Sequence, residues 1–275
     1  MTSSTAGLLD TPAKEPYAGV SREYLLTAKQ MAQFAVDGYL LFDAFVPQEL
    51  NERVYADQCA GKGHWHDSES IREVFELPQV KGILQSLLGV NPVYDHSALH
   101  VVGPQQHKAQ AWHADSIIDA RPFAFDVQTM YFSHDVPKET GPTLILPGSH
   151  LRRVSNMSIS RYKNIVGQTQ LIGRAGAIAF LHHGLWHCAQ PNYTDKTRYM
   201  FKLRLRPGQE QRGLFNTDGY DDPEVRRIAG GFPHHGWQGD QARAENVQRA
   251  KFWRYLCDDD SVDVAFEGVL TRMGI

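Results

Sequence analysis

The sequence predicts a mainly β fold, a sandwich or barrel flanked by helices, and three observations carry that expectation. From Val93 onward, short runs with β-branched or aromatic content follow one another, separated by Gly, Pro and Asp. Before Val93 the pattern is helical, which supplies an α-rich N-terminal third to cover one face of a sheet. The chain has 275 residues, 42% of them hydrophobic, enough for one full core. We therefore expect a single domain over residues 1–275: a mobile arm at 1–20, a helix-rich cover at 21–92, a β core at 93–206, and a loop-and-helix extension at 207–275.

Each element has a local reason. Thr27-x-x-Gln30 is a capping-box pattern that opens a helix with Met31, Phe34 and Ala35 on one side, and Asp37-Gly38 closes it where glycine tolerates a left-handed turn. Tyr39 to Phe42 reads as a strand. Pro47, in a first helical turn, starts a helix to about Cys59, and further helices cover Ser70 to Phe75 and Pro78 to Leu88. The strand runs are Tyr94 to Val102, Lys108 to Asp115, Phe125 to His134, Thr143 to Leu146, Gly176 to His182, Trp186 to Ala189 and Arg198 to Arg206. Asp240 to Cys257 has helical composition, with Val247, Ala250, Trp253 and Cys257 near one side, and suits packing on the barrel or a homodimer contact.

Composition excludes several classes of partner. Net charge is −3, with no Lys/Arg block of nucleic-acid type and no run approaching the ~18 apolar residues of a membrane span. Nucleic acid and bilayer are therefore not expected partners; a small-molecule substrate is. Cys59, Cys188 and Cys257 are odd in number and scattered, which fits a reducing compartment, and Met1 to Glu15 lacks the basic and apolar regions of a signal peptide. A cytoplasmic protein is expected.

The chemistry concentrates between Trp112 and Arg198. In an extended chain, side chains two apart leave the same face with Cα atoms roughly 6.6 Å apart, so His113 and Asp115 can close on one ion. A third imidazole from a distant strand would complete two histidines and one carboxylate, the arrangement that suits non-haem Fe(II) with positions left open for substrate and dioxygen. Leu181-His182-His183-Gly184-Leu185-Trp186-His187 offers three such imidazoles. Elsewhere, Gly63-His64-Trp65-His66-Asp67-Ser68 lacks a third ligand at metal spacing and reads as a polar loop. His234-His235 reads as a surface loop.

Three ordered pieces carry a resemblance: His113-x-Asp115, the turn from Gly141-Pro142 to Pro147-Gly148-Ser149-His150, and His187 followed by Pro191-Asn192 and, eleven positions on, Arg198. Over roughly residues 30 to 206 the chain resembles the phytanoyl-CoA dioxygenase family of Fe(II)/2-oxoglutarate oxygenases. The resemblance implies a double-stranded β-helix, the cupin-like jelly roll, with His113, Asp115 and His187 binding iron and Arg198 holding the distal carboxylate of 2-oxoglutarate. It implies a dioxygenase that hydroxylates or otherwise oxidises an aliphatic C–H bond of a small molecule with O2, releasing succinate and CO2. It also selects His187 over His182 and His183, because His187 alone stands at the family's distance before Pro191-Asn192 and Arg198. The rival classes are a cupin-like metal enzyme without 2-oxoglutarate and a non-catalytic ligand-binding barrel.

Arg198 is a point of tension. Arg198 to Arg206 largely alternates basic with apolar, so periodicity alone sends Arg198 to solvent with Lys202 and Arg204. The alternative turns Tyr199, Phe201, Leu203 and Leu205 outward against the N-terminal helices and leaves the basic face to the barrel mouth, where a guanidinium grips a carboxylate bidentately. The family pattern selects the second. The chain departs from that pattern at Ala189, where a Ser or Thr often supports the same carboxylate. Gln128 and Tyr131 are candidates for the other end of 2-oxoglutarate. Arg152, Arg153, Arg161 and Lys163, within the segment 151–171, form a candidate lid facing a polar or anionic group. Asp115 stands where related halogenases carry Gly or Ala, so halogenation is not expected.

Overall fold

A computed structural model describes residues 19–115, 123–152, 154–231 and 240–262. The capping box at Thr27 forms as expected: Gln30 N–H donates to Thr27 Oγ1 and Thr27 N–H to Gln30 Oε1 at 2.9 Å, opening α1 (Ala28–Asp37). Gly38 ends it at φ 76°, where a β-carbon would also collide with the His150 imidazole, and the chain enters β1 (Tyr39–Phe42). Pro47 is the cap of α2 (Gln48–Cys59) and not its first helical residue. Ser68 Oγ accepts from Ile71 N–H at 3.0 Å to cap α3 (Glu69–Glu76), and Pro78 begins α4 (Pro78–Leu88).

The β region follows with β2 (Val93–Val102), β3 (Val127–Phe132), β4 (Leu144–Ile145), the short helix α5 (Asn156–Ile159), β5 (Thr169–Gln170), β6 (Ala177–His182), β7 (His187–Cys188) and β8 (Arg198–Arg206). Two further helices, α6 (Pro223–Ala229) and α7 (Asp240–Cys257), lie in the extension. One antiparallel sheet has the order β1-β6-β3-β8-β2 and a second the order β5-β4-β7. Antiparallel sheets with flanking helices are the jelly-roll class that was expected. Lys108 to Asp115 differs from expectation. It runs beside β7 but pairs only as an isolated bridge at His113↔His187, in keeping with a run that lacks β-branched residues.

Register decides which face of the large sheet carries what. Gln128 pairs with Arg204, Met130 with Lys202, His100 with Met200 and Val102 with Arg198, so these residues share one face. Phe201, Leu203, Leu205, Tyr131, Ile178 and Phe180 point the other way, into a core shared with Met31 and Phe34 of α1, Ile71 and Val74 of α3, and Leu87 of α4. Each such buried side chain contributes about 1.5 to 3 kcal/mol, which fixes the sheet's orientation under its helical cover. Ala250, Phe252 and Trp253 of α7 join the same core, so α7 packs on its own chain, with Val247 half-buried at the margin. Trp65 of the Gly63–Ser68 loop lies nearly parallel to Phe201 with ring centroids 6.3 Å apart, so that loop is anchored by its aromatic residue. Residues 1–18 of the expected arm, Arg153 and the His234-His235 doublet lie outside the described residues.

Candidate active site

The site starts from one backbone pair. His113 N–H donates to His187 O at 3.1 Å and His187 N–H to His113 O at 2.9 Å, which sets their imidazoles side by side with centroids 4.4 Å apart. Each ring is then turned by a second bond. His113 Nδ1 donates to Ala111 O and His187 Nδ1 to Leu185 O, both at 2.9 Å, because a carbonyl can only accept. Both Nε2 lone pairs are thereby left for the space they share with Asp115. Asp115 Oδ1 stands 3.7 Å from His113 Nε2 and 3.9 Å from His187 Nε2. These distances are too long for hydrogen bonds, and the three donor atoms lie within 4.8 Å of one another, so the group can hold one metal ion. It is the one such group of His, Cys and acidic residues among those described.

The electrostatics suit a ligand set. Burial, opposed in part by Asp115, pushes His187 down to about 4, so the ring is neutral with its lone pair available near pH 7. Burial works against the Asp115 carboxylate, yet His187, Lys202 and His113 together hold its carboxyl below the usual range. The peptide between the two ligands is clasped from outside. Asn156 Oδ1 accepts from Ala114 N–H at 3.0 Å and Asn156 Nδ2 donates to Ala114 O at 3.2 Å. Trp112 Nε1–H reaches Lys163 O at 3.2 Å, so the 151–171 segment is tied to the ligand turn at two points.

A cavity of about 390 Å³ opens beside the triad and draws walls from both sheets. Arg198 lines it, 3% exposed, with its Nη1 donating to Thr140 O at 2.9 Å and no carboxylate partner among the described residues. Burial alone pushes its guanidinium down to about 10. Phe201, Leu203 and Leu205 face the helices, as the second reading of the alternation required, while Met200 lines the cavity beside Arg198. Two sequence motifs meet here: Gly141 sits at φ 67° where a β-carbon would collide with Pro191 O, and buried Asn192 donates to Val102, Gly103 and Lys196 carbonyls, fixing the approach to Arg198.

Gln128 also lines the cavity, 1% exposed, with neither amide atom hydrogen-bonded within the described protein. Tyr131, the other candidate for 2-oxoglutarate, does not reach it. Three positions along a strand reverse the face, and its hydroxyl donates to Asn51 Oδ1 of α2 at 2.6 Å in the helix-side core. His182 and His183 are likewise elsewhere: His182 stacks on Phe125 at 5.0 Å and His183 Nδ1 accepts from Asp126 N–H at 2.7 Å. Ala189 lines the cavity without a hydroxyl, and Thr143, also in its wall, was not singled out from the sequence. Nor were His100 and Lys202 as site residues, although Lys202 follows Arg198 by four positions on the same strand face. In the candidate lid, Arg152 is bonded to Glu245 of α7 and lies over the Trp186 ring at 5.8 Å, so it braces the fold and does not face a substrate. Arg161 and Lys163 are exposed.

A family model described as phytanoyl-CoA dioxygenase (PhyH) matches residues 17–200. The chain belongs to the phytanoyl-CoA dioxygenase family. It is an enzyme of the non-haem Fe(II)/2-oxoglutarate-dependent oxygenase class, as the three motif pieces implied. Solved structures share the fold at low identity. The non-heme alpha ketoglutarate dependent carbocyclase SnoK from nogalamycin biosynthesis is 18% identical, with 69% of this chain and 87% of that chain covered at a TM-score of 0.53. The epimerase SnoN in complex with Fe3+, alpha ketoglutarate and nogalamycin RO is 17% identical over 66% of this chain and 83% of that chain, TM-score 0.53. EctD from S. alaskensis in its apoform is 18% identical over 66% and 77%, also at 0.53. No curated protein matches the sequence significantly.

Proposed function

We propose that this family member is an Fe(II)/2-oxoglutarate-dependent oxygenase acting on an aliphatic C–H bond of a small-molecule substrate within a single catalytic domain. One observation carries the reading: a two-histidine, one-carboxylate group opens onto the same cavity as a buried guanidinium that has no carboxylate of its own among the described residues. His113, Asp115 and His187 would hold the ion. Their donor set fits it, since both Nε2 atoms are released by Nδ1–carbonyl bonds and His187 is neutral. When bound, iron with 2-oxoglutarate supplies oxidative decarboxylation to succinate and CO2, coupled through dioxygen to oxidation of the substrate.

The chain's own contribution is placement. Arg198 grips the distal carboxylate of 2-oxoglutarate with the Nη and Nε donors that Thr140 leaves over. Gln128 offers an amide to its other end, and Thr143 offers the hydroxyl that Ala189 lacks. The apolar walls, Met130 and Met200 among them, exclude water from the bond being oxidised. SnoK and SnoN are named as a carbocyclase and an epimerase, so one fold carries more than one reaction; hydroxylation is the outcome proposed here.

The test is anaerobic mixing of the metal-free protein with Fe(II) and 2-oxoglutarate, reading the visible charge-transfer band, followed by succinate assay in air. The parent should give both. His113→Ala, Asp115→Ala and His187→Ala should each lose both while keeping a folded circular-dichroism spectrum. Retention by His187→Ala with loss in His183→Ala would overturn the ligand assignment.

A further inference from the structure

The two oxygens of Asp115 do different jobs. Oδ1 faces the imidazoles at 3.7 and 3.9 Å, whereas Oδ2 is taken by Lys202 Nζ at 3.2 Å. Both side chains are largely withdrawn from solvent, 13% exposed for Lys202 and 14% for Asp115, so the pair is neither a rim contact nor an incidental surface bridge. Register holds the lysine in place. Lys202 lies between Ala98 of β2 and Met130 of β3, and the small Ala98 and flexible Met130 leave its stem room to cross the cavity wall.

An ammonium beside a dication site is costly, because it repels the ion the site must attract. Direct attraction of the ion therefore cannot be its purpose. We propose that Lys202 is a positioning residue that keeps Asp115 to one-oxygen coordination, so that a place on the ion stays open for 2-oxoglutarate. A carboxylate with both oxygens free can bind an ion through both, as carboxylates commonly do. Here the second oxygen is occupied by a charge-assisted hydrogen bond, the kind of outer-shell contact that orients a ligand. The inference rests on reading His113, Asp115 and His187 as the metal group.

The experiment uses the full chain and Lys202→Met, Lys202→Gln and Lys202→Arg. Anaerobic Fe(II) titration by calorimetry gives ion affinity, and the charge-transfer band gives 2-oxoglutarate affinity on the loaded protein. In Lys202→Met, which removes both donor and charge, ion binding should tighten while 2-oxoglutarate binding weakens by about 10-fold or more, the scale of one charge-assisted hydrogen bond. Lys202→Gln, whose neutral amide is the weaker donor, should fall between Met and the parent. Lys202→Arg, which keeps a donor for Oδ2, should stay near the parent in both. Weaker 2-oxoglutarate binding with unchanged ion affinity would mean that Lys202 touches the co-substrate itself, and would overturn the proposal. So would ion and co-substrate affinities falling together with melting temperature, the signature of a structural ion pair. A parent that takes no Fe(II) or shows no band overturns the metal-site reading first, and this proposal with it.

Discussion

Replacing Arg198 by Met should separate the two states of this site. The guanidinium is 3% exposed and has one protein hydrogen bond, to Thr140 O, among the described residues. Its descent to about 10 under burial corresponds to about 3 kcal/mol against the charged form, at about 1.36 kcal/mol per pKa unit. The sign follows from linkage. A base whose folded pKa is depressed binds its proton less well when folded, so the penalty is fully present below pH 10 and lifts only as pH rises through that value. Met removes this charge and forfeits the Thr140 bond, worth about 1.5 kcal/mol, leaving a net gain of about 1 to 2 kcal/mol without co-substrate. At roughly 2 °C per kcal/mol for a chain of this size, the variant should melt about 2 to 4 °C higher. With 2-oxoglutarate at about 100 times its dissociation constant, the parent gains about 2.7 kcal/mol. The variant binds about 10- to 100-fold more weakly and should gain at most about half of that. The assay is thermal melting by circular dichroism at pH 7.5 with Ni(II) as a redox-inert ion, with and without 2-oxoglutarate. A variant that melts below the parent alone, yet rises as far as the parent with 2-oxoglutarate, would make Arg198 a structural residue and refute the reasoning.

Two neighbours test the rest of the placement. Asn156→Ala removes both bonds to Ala114, which is 8% exposed, and should cost about 2 kcal/mol in urea unfolding and loosen Fe(II) binding by about 10-fold or more. An unchanged ion affinity would show that the clasp does not set the ligand turn. Gln128→Met replaces an amide with no protein partner among the described residues by an isosteric thioether, and should raise stability by about 1 kcal/mol while weakening 2-oxoglutarate and sparing Fe(II). Equal 2-oxoglutarate affinity by the charge-transfer band would place Gln128 toward the substrate.

The sequence by itself was enough wherever the cause is local. Thr27 and Gln30 cap their own helix, Gly38 ends it, and the β1, β8 and α7 boundaries fall where chain chemistry changes within a few residues. The order and spacing of His113, Asp115, His187 and Arg198 were likewise legible, because a fixed fold imposes fixed intervals along the chain. Tertiary structure decided which face looks inward. Periodicity divides Arg198–Arg206 into two sets but is symmetric between them, and the helices choose by burying Phe201, Leu203 and Leu205. The same choice admits Gln128 and sends Tyr131 to Asn51, since positions three apart on a strand cannot share a face. Contacts between distant segments left no local trace at all. Asn156 on Ala114 and Lys202 on Asp115 span 42 and 87 positions, and nothing in either neighbourhood encodes the other, because the partner is brought there only by the register of strands paired elsewhere.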